Sequence, residues 1–354
     1  MKRIVLCLLL LLNSHLVLFS VDLFTVARSG TVTEVMQMIK AGADVNGKNI
    51  DGETPLYLAA GDNPSSEVLS LLIQFGADVN KKTAYGWTPL MIAARDSTNP
   101  KVLSVLIEAG ADVNAKNGLG LSPILFATIG NTNPDIMSVL IKAGSDLNYI
   151  DEYGTTPLMW AAGSNSNPEV LLVMLEAGAD VNATNSNGGT ALMSAAYSNT
   201  NPEILSVLIE AGADVNARDK NGYTPLMFPI KGSEYYTNPK VLSVLINAGA
   251  DVNARDKDGW SPLMFTAINA KPEVVSMLIE AEANVNARNK DGFSPLMFAA
   301  ADHRNPEVLA LLIEAGADMN ASNNNGKTVF DYAKNNDYIR GTKQYWQISD
   351  AQYK

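Results

Sequence analysis

Residues 86–94 read GWTPLMIAA, and residues 110–114, further along the same unit, read GADVN. In the first phrase the glycine suits a turn with positive φ, the threonine can cap a helix, and the proline fits the first helical position. Asn99 and Pro100 repeat this arrangement of cap and proline, and apolar residues at helical spacing follow them. The glycine at 110 suits the left-handed residue that ends a helix. The whole stretch predicts two short helices followed by a projecting loop or β-hairpin.

Both phrases recur along the chain at a nearly constant interval. The first glycine recurs every 34 residues, apart from one spacing of 37 and one of 33, at Gly52, Gly86, Gly120, Gly154, Gly188, Gly222, Gly259, Gly292 and Gly326. The second phrase stands at 42–46, 76–80, 110–114, 178–182, 212–216 and 249–253, with variants at 144–148, 282–286 and 316–320. This recurrence predicts one array, whereas length alone would suggest about two globular domains.

A single unit of this kind cannot bury the apolar faces of its two helices. Stacked neighbours can, and they then share a continuous core. The predicted fold class is therefore all-α, a solenoid of helix–turn–helix units with projecting β-hairpin fingers. We expect an N-terminal capping unit at 22–49, eight full units at 50–324, a C-terminal capping unit at 325–340 and, at 341–354, a tail that folds back on the last helix.

The pattern Asp-Gly-x-Thr-Pro-Leu-x-x-Ala-Ala, a second helix and then Gly-Ala-Asp-Val-Asn-Ala resembles the ankyrin repeat, from about residue 22 to about residue 339. The resemblance implies paired antiparallel helices, projecting fingers and a concave face whose usual activity is to bind proteins. It also identifies an unusual feature, because the units here commonly have 34 residues where the family usually has 33.

Two further positions depart from the family pattern. The family's histidine after Pro-Leu is absent, and its place is taken by Tyr57, Met91, Leu125, Met159, Met193, Met227, Met264 and Met297. Because this row is mostly apolar and recurs at one helical position, we expect it to pack in the core. Glu282 replaces the left-handed glycine, which costs about 1–2 kcal/mol and predicts a locally looser seventh unit.

The N-terminal sequence has the features of a targeting segment. Residues 1–21 read MKRIVLCLLLLLNSHLVLFSV, in which Lys2 and Arg3 precede nine unbroken apolar residues. This order predicts a signal peptide cleaved near Ser20, and hence export to a periplasm or an extracellular space. The alternative is an uncleaved membrane anchor, although polar residues at 13–15 interrupt the apolar run.

Composition excludes several classes of function. The chain has one cysteine and two histidines, and removal of residues 1–21 would leave only His303, without any thiol for disulfides or zinc. It has 37 acidic against 26 basic residues, a net charge of −11, which disfavours nucleic acid as a partner. It contains no G-x-S-x-G, P-loop or H-E-x-x-H motif. We therefore expect no enzymatic activity, no cofactor and no metal site.

Binding residues are expected where the units differ, because the residues that build the fold must recur. The position after the recurring glycine is aromatic in four units, at Trp87, Tyr223, Trp260 and Phe293. The last three of these units also carry basic fingers, with Arg218 and Lys220, Arg255 and Lys257, and Arg288 and Lys290. These residues predict an aromatic and basic strip that receives an acidic protein segment. The alternative is ordinary solvated fingertips, with the aromatic rings packed against adjacent fingers.

The sixth unit contains an insertion of three residues around residues 231–236. Its Tyr235 and Tyr236 are candidate recognition residues, and a tolerated surface insertion is the alternative. Together, these features predict a non-catalytic, exported scaffold that binds a protein partner. A membrane-tethered spacer with a retained anchor and a secreted effector that binds host proteins are the alternatives.

Overall fold

The computed structural model describes residues 22–231, 238–302 and 304–353. The predicted signal segment 1–21, the insertion tyrosines Tyr235 and Tyr236, and His303 lie outside these described residues. Within them every regular element is a helix, no strand occurs, and a single isolated bridge pairs Ser322 with Thr328. The described part of the chain therefore has the predicted all-α repeat fold.

The described residues form two compact units, of which unit 1 runs to Asp151 and includes Leu172–Ala179. Its helices are α1 (Leu23–Ser29), α2 (Val32–Lys40), α3 (Pro55–Asp62), α4 (Ser66–Gln74), α5 (Pro89–Asp96), α6 (Pro100–Glu108), α7 (Pro123–Gly130) and α8 (Pro134–Lys142). The first helices of successive repeats, α1, α3, α5 and α7, pack in sequence, and so do the second helices α2, α4, α6 and α8.

Unit 2 comprises Glu152–Leu171 and the chain from Asp180 onward. Its helices are α9 (Pro157–Ser164), α10 (Pro168–Glu176, which continues into unit 1), α11 (Ala191–Ser198), α12 (Pro202–Glu210), α13 (Phe228–Lys231, after a 3-10 turn at Pro225–Met227), α14 (Pro239–Asn247), α15 (Pro262–Asn269), α16 (Pro272–Glu280), α17 (Pro295–Asp302), α18 (Pro306–Glu314), α19 (Val329–Ala333) and α20 (Lys343–Ala351). First and second helices again form two layers, and the tail helix α20 contacts α18 and α19 as the sequence predicts.

The first helices begin and pack as their sequences predict. Thr88 accepts a hydrogen bond from the backbone N–H of Met91, and Pro89 occupies the first position of α5. The row that replaces the family's histidine lies in the core, since Met91, Met227 and Met297 have no exposed surface. Tyr57, the one polar member of this row, retains 8% of its surface.

The fingers are shorter than the predicted β-hairpins. At a representative tip, the N–H of Asp219 donates to the carbonyl of Tyr223, and the N–H of Gly222 donates to the carbonyl of Asp219. The Oδ1 atom of Asp219 then accepts from the N–H groups of Asn221 and Tyr223, each at 2.8 Å. Backbone N–H groups that would pair across a β-hairpin therefore donate to a side-chain oxygen instead, and the finger is a tight turn.

In seven repeats, the asparagine that ends the Gly-Ala-Asp-Val-Asn phrase or its variant holds the following repeat. Asn216 donates its Nδ2 to the carbonyl of Gly249 at 3.1 Å, while its Oδ1 accepts from the N–H of Asp251 at 2.7 Å. We call this pair of bonds the asparagine clamp. The same donor bond is made by Asn46, Asn80, Asn114, Asn182, Asn253 and Asn286.

A second, buried asparagine lies in the loop between the two helices of a repeat. Asn63 is 4% exposed and donates its Nδ2 to the carbonyls of Ala27 and Gly30, at 2.9 and 3.0 Å. Asn199 makes the equivalent pair of bonds to the carbonyls of Ala162 and Asn165. These amides satisfy carbonyls at the end of the preceding first helix, which would otherwise be buried without a partner.

Candidate aromatic and basic surface

Two columns of aromatic residues meet in unit 2. The predicted column supplies Tyr223, Trp260 and Phe293, each half-buried at the position after the finger glycine. A second column lies five residues further along each repeat, on the first helices, and the sequence analysis did not recognise it. It supplies Phe228, Phe265, Phe298 and Tyr332.

Rings of the two columns alternate in one continuous series. Successive ring centroids lie 4.4–6.3 Å apart through Tyr197, Phe228, Tyr223, Phe265, Trp260, Phe298, Phe293 and Tyr332. We call these eight residues the aromatic row. The central rings, from Phe265 to Phe293, are stacked with interplanar angles of 22–30°. Each contact of this kind stabilises the folded state by about 0.5–1.5 kcal/mol in addition to the burial of apolar surface. The rings therefore hold one another in place.

The arginines of the basic fingers are engaged by the backbone. One guanidinium NH1 of Arg218 donates to the carbonyl of Arg255 at 2.6 Å, and that of Arg255 donates to the carbonyl of Arg288 at 2.5 Å. Arg288 continues the series to the carbonyl of Ser322. Each arginine therefore bridges its finger to the next, a role that the sequence analysis did not predict.

The same position carries lysine in unit 1. Lys48 donates its Nζ to the carbonyl of Lys82 at 3.1 Å, and Lys82 donates to the carbonyl of Lys116 at 3.0 Å. The signal for this role is a cation four residues before the finger glycine in several repeats. Its recurrence indicates a structural bridge between fingers.

The lysines of the basic fingers are placed differently. Lys220, Lys257 and Lys290 are exposed at the tips, where their backbone N–H groups donate to the carbonyls of the preceding fingers. Within the described residues their ammonium groups make no hydrogen bond or ion pair. These three ammonium groups are therefore exposed positive charges of the surface, although Asp258 and Asp291 follow two of them.

Trp87 lies in unit 1 and belongs to a separate aromatic pair. Its ring centroid is 4.1 Å from that of Phe126, and the guanidinium carbon of Arg95 lies 4.8 Å from the Trp87 ring. This arrangement repeats the alternation of finger ring and first-helix ring on a smaller scale.

A cavity of about 370 Å³ adjoins one end of the aromatic row. Among the described residues it is lined by Tyr197, Phe228, Pro229 and Val241, with polar loop residues at 198–200 and at Asn238. It lies beside α13, in which Pro229 and Ile230 stand where most other repeats have two alanines. The cavity adds an apolar recess to the end of the surface.

Two observations concern chemistry and membranes in the described residues. No group of three or more His, Cys, Asp and Glu side chains is arranged there to hold a metal ion. None of the helices described is both long and apolar enough to cross a membrane.

Comparison with known proteins supports the reading of the repeats. The family model for ankyrin repeats (3 copies) matches residues 23–117, 116–185, 164–256, 232–323 and 263–339. A search of curated proteins gives no match. Ankyrin repeats generally mediate protein binding and are typically non-enzymatic. Because the matches extend over most of its length, the chain belongs to the ankyrin-repeat family.

Proposed function

We propose that the chain is a non-catalytic scaffold that binds a protein partner along the aromatic row and the adjoining fingertips. The partner presents an acidic segment, which lies against the ammonium groups of Lys220, Lys257 and Lys290. The observation that carries this proposal is the continuous aromatic row, six of whose eight rings are half-buried, beside three lysines whose ammonium groups have no partner among the described residues.

The row suits the centre of an interface because its rings are already ordered. Each of the six inner rings is held between two others, so little side-chain entropy is lost when a partner covers it. Aromatic side chains are also enriched among the residues that dominate binding energies. The rings therefore supply affinity, whereas the exposed lysines steer the partner and favour a segment of opposite charge.

The compartment is a second part of the proposal. Residues 1–21 direct the chain to export, which makes the scaffold periplasmic or extracellular, and a secreted form could act as an effector on host proteins. Retention of these residues would instead tether the array to a membrane as a spacer. Mass spectrometry of the N-terminus of protein isolated from its native cells distinguishes these outcomes. A chain that begins near residue 21 supports export, and one that retains residues 1–20 supports the tether.

The interface is tested by charge reversal at the fingertips. The variant carries Lys220→Glu, Lys257→Glu and Lys290→Glu, and the matched control carries Lys101→Glu, Lys240→Glu and Lys271→Glu. All six lysines are exposed, and the control positions lie in or next to the first turns of second helices, where a carboxylate is tolerated. Both variants change the net charge by the same amount, so a general charge effect cannot separate them.

Each array is used to capture partners from the native host, and the captured proteins are identified and then titrated individually. We expect the control to retain the partner and the fingertip variant to lose at least tenfold in affinity, with a smaller salt dependence. Equal affinity of the two variants for the identified partner would reject the fingertip surface.

A further inference from the structure

Tyr57 is a buried phenol without a partner. It occupies the position that is methionine or leucine in the other full repeats, so no packing rule of the array requires a hydroxyl there. The side chain is 8% exposed, and its Oη atom makes no hydrogen bond within the described residues. The oxygen itself is not enclosed, because it is not one of the fully buried side-chain polar atoms that lack a hydrogen bond. A ligand can therefore reach the hydroxyl without first breaking an internal hydrogen bond.

The hydroxyl belongs to a small polar cavity in unit 1. This cavity measures about 170 Å³ and is lined by Tyr57, Glu53, Leu58, Ile92, Arg28, Asp62, Arg95 and Asp96, with Gly61. Pockets for small-molecule ligands usually measure roughly 300–1,000 Å³. The cavity is therefore suited to a single side chain rather than to a cofactor.

The charges that line the cavity are unequally paired. Arg28 contacts Asp62 at 2.9 Å, and Arg95 makes a bidentate pair with Asp96 at 2.8 and 2.7 Å. Glu53 has no cationic partner among the described residues, and its Oε2 accepts a hydrogen bond from the neutral amide of Asn49 at 2.8 Å. The lining consequently carries one uncompensated negative charge.

The ionisation of Tyr57 is consistent with this negative field. Burial, followed by the charge of Glu53, raises the pKa of the phenol to about 12. The hydroxyl is therefore protonated at neutral pH and can both accept and donate a hydrogen bond. A cation in the cavity would find this neutral acceptor and the Glu53 carboxylate in the same lining.

We propose that this cavity binds the ammonium group of a lysine side chain from a partner protein, with Tyr57 Oη and Glu53 as its hydrogen-bond acceptors. Lysine suits the site because its ammonium is a compact charge with three donors on an apolar stem. The surface of the cavity is mainly polar, so the ammonium group enters it while the stem lies towards solvent. An anion is disfavoured, since both guanidinium groups are already neutralised by aspartates.

This site differs from the proposed acidic-segment surface in residues and in the charge that it selects. It lies in unit 1, whereas the aromatic row lies in unit 2. A test with a small compound therefore remains decisive even if the fingertip surface fails its own test.

The probe is Nα-acetyl-lysine methylamide, and the control compound is its norleucine analogue, which has the apolar stem without the ammonium. Binding to the full chain is followed by NMR with 13C-labelled tyrosine rings and 15N-labelled backbone amides, and the amide signals report on the Tyr57→Phe variant, which lacks the labelled ring. Tyr57→Phe removes only the hydroxyl, Glu53→Gln removes the unpaired charge, and Tyr85→Phe removes a phenol that is 75% exposed elsewhere in unit 1.

We expect the lysine compound, but not the norleucine compound, to shift the Tyr57 ring signals in a saturable and salt-sensitive manner. Glu53→Gln should weaken binding about tenfold and Tyr57→Phe several-fold, whereas Tyr85→Phe should leave it unchanged. Equal shifts with both compounds, no shift with the lysine compound, or saturable shifts with inorganic phosphate instead would overturn the proposal.

Discussion

Glu282 offers a direct measurement of backbone strain in this array. It is the only non-glycine residue with positive φ in the described part of the chain, with φ of 65° at the end of α16. The corresponding residues in other repeats are glycines, such as Gly249 with φ of 87° and Gly316 with the same value. We expect Glu282→Gly to stabilise the folded state.

The size of the effect follows from two opposing terms. A left-handed conformation costs an L-residue about 1–2 kcal/mol, and glycine removes this cost. Glycine also increases the conformational freedom of the unfolded chain, which offsets about 0.4–1 kcal/mol. Contacts add little, because a Cβ atom placed on Gly249 or Gly316 meets nothing within 4 Å. The expected net stabilisation is therefore about 0.5–1 kcal/mol.

The assay is urea denaturation of the full chain, with amide hydrogen exchange of α16 and α18 as a local readout. Glu282→Gln keeps the backbone strain and removes the charge, so it separates the two contributions. Gly249→Ala introduces the same strain into the preceding repeat and should destabilise it by a similar amount. A Glu282→Gly protein no more stable than the parent, or a Gln variant equally stabilised, would refute the backbone explanation.

Three further predictions concern the contacts between repeats and the C-terminal cap. Asn63→Ala should destabilise the array by about 1–3 kcal/mol in urea, because it leaves two carbonyls of the preceding repeat without a partner; no change would mean that water replaces the amide. The Lys334 ammonium and the Thr328 N–H lower the pKa of Asp331 from 3.8 to about 2, so the carboxylate stabilises the folded cap above about pH 4 and this contribution is lost towards pH 2. An NMR titration should show this pKa, and Asp331→Asn should remove the acid sensitivity of α19 if the assignment is correct. Arg255→Lys should preserve amide protection in the fingers, as lysine does in unit 1, whereas Arg255→Ala should reduce it; equal protection in both variants would contradict the bridging role.

The fold could be predicted because its determinants recur. The capping residues, prolines and glycines recur at the same positions of each repeat. A repeat whose own sequence is ambiguous can therefore be assigned by comparison with the repeats beside it. The buried methionine row and the strained Glu282 could be inferred in the same way, since each is a departure from a pattern that the other repeats define. The conformation of the fingers could not be predicted in this way. The carboxamide and carboxylate side chains at 49, 219 and 256 accept hydrogen bonds from N–H groups that a β-hairpin would pair with backbone carbonyls.

The candidate surface was only partly predictable. The finger column of rings was recognised as a variable position, but its partners on the first helices were not, because each appears alone to be an ordinary helix residue. Comparison of the sixth residue after each finger glycine would have revealed Phe228, Phe265 and Phe298. The arginines were predicted to bind a partner because a charged residue at a loop tip usually faces solvent. Their side chains are nevertheless long enough to reach a backbone carbonyl of the next finger.

The asparagine clamp also bears on how such a chain changes length. In seven of the repeats the asparagine amide binds the same carbonyl position of the following repeat, as Asn216 does at Gly249, and the Oδ1 of Asn216 also accepts from the N–H of Asp251. Duplication or deletion of one whole period would therefore create a junction chemically identical to those already present. Recombination between tandem copies of the coding sequence could lengthen or shorten the array without inventing a new interface.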